Sequence, residues 1–308
     1  RYLSDELAIH YGLIPRTNRG IFAINELPDL SEKIQVGLFN IMEERDVQIR
    51  GFRVRLLLDI YLVASANPED YTNRGRIITP LKDRYGSEVR THYPRTIEHE
   101  IRIVENESKR FHEEGFQITV PNFMKEIVAE VTIQARQNPY VNQRSGVSVR
   151  MSINNYENII SNAFRRALKL EEDKVVPRIS DLSSIYPSTM GKVELESLEE
   201  DKGQQIIEDM VKKAVKTVFD HHFKDSAFGA FIDRFNNGKA IEVSAEMPAG
   251  EYAKIMSEFS ELMDGVIQLE SYDNAVSVAS AIEFILEGLH LHKKLNKDVV
   301  EGKSSYRG

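Results

Sequence analysis

The chain has no cysteine, which excludes disulfides, a thiolate nucleophile and a thiolate metal site, and is compatible with a reducing compartment. A cytoplasmic location is the default expectation. No apolar run approaches the roughly 18 residues that a membrane span needs. The first residues, RYLSDELAIH, carry no signal-peptide core, so no membrane partner is expected. Positive charge is not in excess: Lys and Arg number 40 against 48 Asp and Glu, a formal net charge of −8 over 308 residues. No global basic field would therefore draw nucleic acid or anionic lipid, and such binding would need a local patch. Internal repeats and low-complexity segments are missing. So are an initiator Met and any GxxxxGK(S/T) phosphate loop. What remains, 41% hydrophobic and 29% charged residues, has the balance of a soluble globular protein of about two domains.

Residues 21–26, IFAINE, form a short apolar run with a polar end, after the punctuation Thr17-Asn18-Arg19-Gly20. The run predicts a strand buried on both faces of a parallel sheet. In LPDLSEKIQVGLFNIMEER, Asp29 and Glu32 have capping-box spacing, and Ile34, Leu38, Ile41 and Met42 share one helical face. Residues 46–58 alternate around Arg50-Gly51 and predict a hairpin; LDIYLVASAN predicts a second buried strand with a polar exit. Two such strands argue for an α/β sheet whose ligands sit at the carboxyl ends.

After Pro94 the pattern turns helical. One helix is marked by Ile97, Ile101, Val104, Ser108 and Phe111 and stopped by Gly115. A second, marked by Phe123, Ile127, Val131 and Ala135, runs between Pro121 and Pro139. A third starts from a Ser152 cap and continues through Ile153, Tyr156, Ile160, Phe164 and Ala167. Residues 171–205 are charged and broken by Pro177, Pro187, Gly191 and Gly203, which suggests a boundary. Beyond it lie three more amphipathic stretches, with a strand expected near AIEVSAEM. Met256 and Met263 fall at helical spacing and are expected in the core.

Nucleotide hydrolysis needs a carboxylate at a strand end to polarise water, a polar group to place that water, and cations to neutralise the transferred phosphoryl. Glu26 ends the first strand, Asn67 the second, Arg84 follows in LKDRYG, and Arg150 closes GVSVR at the entry to the third helix. These residues resemble a known family. TNRGIFAINELPDL is similar to the Walker B strand and lead-in of AAA+ ATPases of the magnesium chelatase I subunit and MoxR group. FNIMEERDVQIRGFRVRL resembles that group's helix and pre-sensor-1 hairpin, LVASANPED its sensor 1 strand, and LKDRYG the segment that carries an arginine finger. The likeness is close over residues 13–95, moderate to about 170, and transfers nothing beyond Pro177.

The resemblance implies a P-loop NTPase fold: an α/β core over 1–95, a helical lid with sensor 2 over 96–176 and a mainly helical domain over 177–308. It implies that Glu26 activates water, Asn67 senses the γ-phosphate, Arg84 acts on a neighbouring subunit and Arg150 contacts nucleotide from the lid. ATP and Mg²⁺ are the implied cofactors. A homo-oligomeric ring, typically a hexamer, and a von Willebrand A-domain protein are the implied partners. Arg suits the finger because its guanidinium stays charged and presents a rigid fork.

Two features depart from the group's pattern. Where the group has Asp before the catalytic Glu, this chain has Asn25; an amide oxygen can still accept from Mg²⁺-bound water but lacks the charge that draws the ion. The phosphate loop lies upstream of the Walker B strand in that group, so the chain reads as the carboxyl-terminal part of a longer ATPase. The 308 residues alone are expected neither to bind ATP tightly nor to hydrolyse it. A non-catalytic ring subunit or interaction module with a degenerate site is the alternative.

Other residues carry smaller expectations. Arg16, Arg19, Arg74 and Arg76 are candidate subunit contacts. Arg45, Arg50, Arg53 and Arg55 make a basic patch on the hairpin, with only Phe52 as interleaved aromatic, so nucleic acid is not expected as a partner. His221-His222 and His290-x-His292 show no suitably spaced further ligand in the sequence, and their spacings do not share a helical face, so metal is not expected there.

Overall fold

Residues 10–48, 55–67, 76–109, 114–195, 200–223, 228–300 and 302–308 are described by the structure, a computed structural model. The chain falls into two compact units, Arg1–Thr91 and His92–Gly308.

In the first unit, Arg19 takes a left-handed φ of 64°, and its N–H donates to the Asp59 carbonyl at 2.6 Å. This turn delivers β1 (Ile21–Ile24) alongside what becomes β4 (Tyr61–Ala64). The pair is parallel, with Ile21 opposite Tyr61 and Ile24 opposite Ala64. Between them come the helix Glu32–Glu43 and the hairpin of β2 (Asp46–Gln48) and β3 (Arg55–Leu57), as the alternation predicts. Residues 49–54, with Arg50, Phe52 and Arg53, and residues 68–75, with Arg74, lie outside the described residues.

A small core of Leu27, Leu38 and Leu81, joined by Ile24, Phe39, Met42 and Ile78, fills one side of the strands. The other side stays open, with Ile21 68% and Tyr61 69% exposed. The expectation of burial on both faces is thus corrected. Two strands with one apolar cluster can cover only alternate residues of each strand. The capping expectation is corrected too. Leu27–Asp29, with Pro28 inside it, forms a 3-10 turn, and the helix begins after Ser31. Ile34 points outward, while buried Gln35 takes the inner position. Its amide donates to the carbonyls of Leu30 at 2.9 Å and Arg76 at 3.0 Å and accepts from Ile78 N–H at 3.0 Å. A polar side chain that satisfies three backbone groups can be buried at little cost.

The second unit holds the three expected helices. Ile97–Glu107 is capped by the Thr96 hydroxyl, which accepts from His99 N–H; Phe111 lies outside the described residues. Asn122–Gln137 follows Pro121. Arg150–Leu170 begins directly after Val149, which makes no side-chain cap, and Ser152 lies inside the helix rather than capping it. Ser152 is instead fully buried, its hydroxyl 2.7 Å from Glu100 Oε1 and 2.6 Å from Thr132 Oγ1.

One continuous core runs from Phe123 on these helices to Tyr306 near the end of the chain. Phe123 stacks on Phe284 with centroids 4.6 Å apart. The tail adds the helices Glu200–His222, Gly229–Asn236, Ala249–Glu258, Met263–Gln268 and Ala275–Leu291. The expected strand forms as β5 (Ala240–Ser244), but it joins β6 (Asn296–Val300) and β7 (Lys303–Arg307) in an antiparallel sheet of order β5-β7-β6. The last two strands are mostly polar, and Tyr306 is the residue of the pair that buries, so their alternation carries almost no hydrophobic signal. Met256 packs against the core, whereas Met263 is 46% exposed, correcting its placement. No helix among the described residues is long and apolar enough to cross a membrane.

Candidate functional site

The parallel register places the residues that follow β1 and β4 at the same end of the two strands. Asn25 and Glu26 leave β1, and Ser65, Ala66 and Asn67 leave β4, so three candidate site residues share one edge. Glu26 sits in a left-handed conformation, φ 53° and ψ 54°. That conformation is uncommon for a residue other than Gly and persists only where neighbouring contacts impose it.

Those contacts come mainly from Ser65. Its hydroxyl accepts from Glu26 N–H at 3.1 Å and donates to Asn25 Oδ1 at 2.5 Å. Its carbonyl accepts from Leu27 N–H, and its N–H donates to the Ile24 carbonyl, both at 2.9 Å. Ser65 carries little signal in the sequence. It is a small hydroxyl residue at a strand exit two positions before Asn67. The side chains of Asn25, Glu26 and Asn67 are exposed, and the Glu26 carboxylate has no hydrogen bond or ion pair among the described residues.

Arg84 stands elsewhere in the same unit. It donates from Nε to Glu43 Oε2 at 2.8 Å and from Nη1 to the Pro80 carbonyl at 2.7 Å. Its Nη2 also meets Glu43, and its guanidinium lies over the Phe39 ring, 4.6 Å from the centroid. Glu43 is the last residue of the twelve-residue helix that starts beside the Glu26 turn. Arg84 also borders Asp59, Ile60 and Tyr61 at the start of β4, whereas Glu26 follows the end of β1, so the two residues lie toward opposite ends of the parallel strand pair. A cavity of about 430 Å³ at the Arg84 end is lined by Arg45, Asp59, Tyr61 and Tyr85 among others. Burial raises the pKa of the Tyr85 phenol. Of the hairpin arginines, Arg55 is paired with buried Asp46, which removes part of the patch's positive charge. Arg16, Arg19 and Arg76 are exposed, Arg76 being 4.0 Å from Glu32.

Arg150, in the second unit, occupies the first position of its helix with an exposed side chain. The GVSVR segment leading to it is firmly anchored. Arg136 makes a two-pronged ion pair with buried Glu100 at 2.8 and 3.1 Å and donates from Nε to the Val147 carbonyl at 3.1 Å. Its guanidinium lies 4.3 Å from the Tyr93 ring centroid, and the Tyr93 hydroxyl accepts from Val147 N–H at 2.9 Å. Gly146 has φ +69°, and a Cβ there would meet the Tyr93 hydroxyl at 2.8 Å, so only Gly fits.

The donor set fits a Mg²⁺ ion held through water. Asn25 offers an amide oxygen and Glu26 a free carboxylate, both hard oxygen ligands. The hydrogen bond from Ser65 orients the Asn25 oxygen but draws on its electron density, and a neutral amide attracts the ion less than Asp would.

No protein-family profile matches the chain. Archaeal Lon protease from Thermococcus kodakarensis is 29% identical over 138 residues, 41% of this chain and 21% of that one. Archaeal Lon protease from Pyrococcus abyssi is 27% identical over 143 residues, 42% of this chain and 14% of that one. The chain thus spans about a fifth or less of the length of these relatives. The relationship is a distant one to AAA+ ATPases in general and does not reach the magnesium chelatase group. A solved structure from Cytophaga hutchinsonii, itself only provisionally assigned as an ATPase, aligns at a TM-score of 0.26 with 18% identity over 63% of this chain and 65% of that one. That likeness is too slight to carry a fold assignment.

Proposed function

We propose that the chain belongs to an AAA+ motor of the magnesium chelatase I subunit and MoxR kind, which binds and hydrolyses ATP in a ring and uses the energy to remodel or metal-load a partner protein. A von Willebrand A-domain protein is the partner type this reading favours. The supporting observation is the common edge at which two parallel strands present Asn25, Glu26 and Asn67, while Arg84 is pinned at the far end of the intervening helix.

In this reading Glu26 accepts a proton from the attacking water, and Asn67 holds that water or the phosphoryl oxygen in line. Mg²⁺, when bound, would neutralise phosphate charge beside Asn25. Arg84, toward the other end of the strand pair from the Glu26 of its own chain, serves a neighbour's Glu26 in this reading. To do so its guanidinium must release Glu43, an exposed partner that phosphate can replace with a stronger, two-pronged contact. Arg150 offers a further fixed positive charge at a helix start, where an anion is also favoured by the unpaired N–H groups.

Mixed-ring complementation tests this on the complete gene product. Glu26→Gln and Arg84→Ala chains are each expected to be inactive, and mixing them should restore part of the ATPase rate, because some interfaces then carry an intact base facing an intact arginine. If no mixing ratio restores activity, the in-trans role of Arg84 is wrong.

Ser65 acts here as a positioning residue. Ser65→Ala removes the bonds to Glu26 N–H and Asn25 Oδ1 and should lower kcat about tenfold or more through misplacement of the carboxylate. The stability loss should be near 1 kcal/mol. Ser65→Thr keeps the hydroxyl and should recover most of the rate. A Thr variant as slow as the Ala variant would remove Ser65 from this role.

Asn25 favours a second reading, a ring subunit that binds nucleotide and partner without turnover. It predicts that nucleotide binds to the complete product but is never hydrolysed, and that Asn25→Asp raises affinity for Mg²⁺.

A further inference from the structure

The second unit brings together three side chains that the sequence keeps far apart. His221 and His222 end the helix Glu200–His222, and Glu126 lies on the helix Asn122–Gln137. Glu126 Oε2 is 2.8 Å from His222 Nε2 and 3.6 Å from His221 Nδ1. One ligand atom from each of the three can be chosen so that all lie within 4.8 Å of one another. The expectation that this pair has no third ligand is thereby corrected. Glu126 precedes the pair by nearly a hundred residues, and only helix packing reveals it.

Adjacent histidines in mid-helix diverge by about 100°. Here they occupy the last turn, and their ring centroids come to 5.3 Å. Backing for His222 comes from Phe284, whose ring is perpendicular at 6.4 Å, and from Phe223 at the same distance. The Gln268 amide donates to the His222 carbonyl and fixes the turn. By contrast, His290 and His292 are engaged with the Leu295 and Gly288 carbonyls and with Asp220.

We propose that Glu126, His221 and His222 form a site for a divalent first-row transition ion, best matched by Zn²⁺, which clamps the end of one helix to the flank of another. Two imidazoles and one carboxylate are a donor set that Zn²⁺ takes readily, and Mg²⁺ and Ca²⁺ prefer oxygen alone. Bonds of about 2.0–2.2 Å in a tetrahedron put ligand atoms about 3.4 Å apart. The two spacings to Glu126 fall on either side of that value, and the two imidazole nitrogens, within 4.8 Å of each other, close on the ion by rotation of the exposed His221 ring. The carbonyl-rich end of the helix favours a cation in the same place. His221, 70% exposed, leaves one side open to solvent, where water completes the coordination.

The site is tested on the whole chain after dialysis against a chelator, with Co²⁺ as a visible probe and Zn²⁺ as competitor. One equivalent of Co²⁺ should bind in the micromolar range with the intense visible bands of a low-coordinate site, and Zn²⁺ should erase them. Zn²⁺ should also raise the melting temperature. His221→Ala touches no core packing and should weaken binding at least about tenfold, a loss comparable to disturbing a ligand's supporting contacts, with the melting temperature in chelator unchanged. Glu126→Gln, which can keep a hydrogen bond to His222, should also lose the visible bands. No visible bands at all, or Co²⁺ binding undiminished in both variants, would overturn the assignment.

Discussion

Glu26→Gln in the complete gene product is expected to cut ATP turnover by about 10²- to 10⁴-fold, the range contributed by a positioned general base, while nucleotide affinity stays within a few fold. Gln has the shape of Glu and keeps the backbone N–H bond to the Ser65 hydroxyl, so the left-handed turn and the strand edge survive. What is lost is the negative charge that draws a proton from water. The carboxylate is exposed and unpaired among the described residues, so no structural ion pair is broken, and the melting temperature should stay within a degree or two. Single-turnover measurements with excess protein, alongside equilibrium nucleotide binding, separate the two effects. A variant that hydrolyses at the wild-type rate would remove Glu26 from the chemistry. One that fails to bind nucleotide would mean that the residue holds the ligand instead.

The strand ends were legible because hydrophobic runs with polar exits are local signals. IFAINE and YLVASAN became β1 and β4 where expected, and Arg150 opened its helix. Burial on both faces could not be read, since it depends on what other elements cover. Nor could the buried polar positions. Gln35 and Ser152 look like surface or cap residues in sequence, yet each is buried because distant groups satisfy it: the Ile78 N–H for Gln35, the Glu100 carboxylate for Ser152. Ser65 escaped notice for a related reason. Its role lies in a hydrogen bond to the backbone of a residue just past the end of another strand, and hydroxyl residues at strand exits are common. Glu126 shows the limit most plainly, because ligand sets built across helices leave no spacing pattern.

Charge is the signal that misleads most in residues 171–205. Pro177, Pro187 and many ionisable groups read as a solvated break between domains, but the segment runs inside the second compact unit, and several of its charges are among the most buried groups there. Arg178 and Asp181 are both fully buried. Arg178 donates to the Met247 carbonyl at 2.8 Å and lies over the Tyr252 ring, 4.9 Å from its centroid. The Tyr252 hydroxyl donates to Glu283 at 2.6 Å, and burial, reinforced by the Glu283 charge, pushes its pKa up. Glu283 also accepts from Ser180 N–H at 2.9 Å. Composition counts charges without showing their partners; a paired charge is compatible with the interior and an unpaired one is not.

Asp181→Ala should therefore be the most destabilising of the single substitutions considered, by about 3–5 kcal/mol, a factor of roughly 10² to 10³ or more in the folding equilibrium. The Asp181 carboxylate accepts from Arg166 Nη1 at 2.6 Å, from Asn162 Nδ2 at 2.8 Å and from Arg178 N–H at 2.7 Å. Alanine leaves all three donors facing a void, with the buried Arg166 guanidinium uncompensated except for the Val176 carbonyl at 2.7 Å. Urea unfolding should show a lower midpoint at an unchanged slope. The same change made in an Arg166→Met background should cost much less, because the orphaned charge is already gone, and the difference measures the coupling. Asp181→Asn, which keeps one oxygen acceptor, should fall between. Equal costs in the two backgrounds would show that the carboxylate matters for its contacts to backbone and amide rather than for the charge it neutralises.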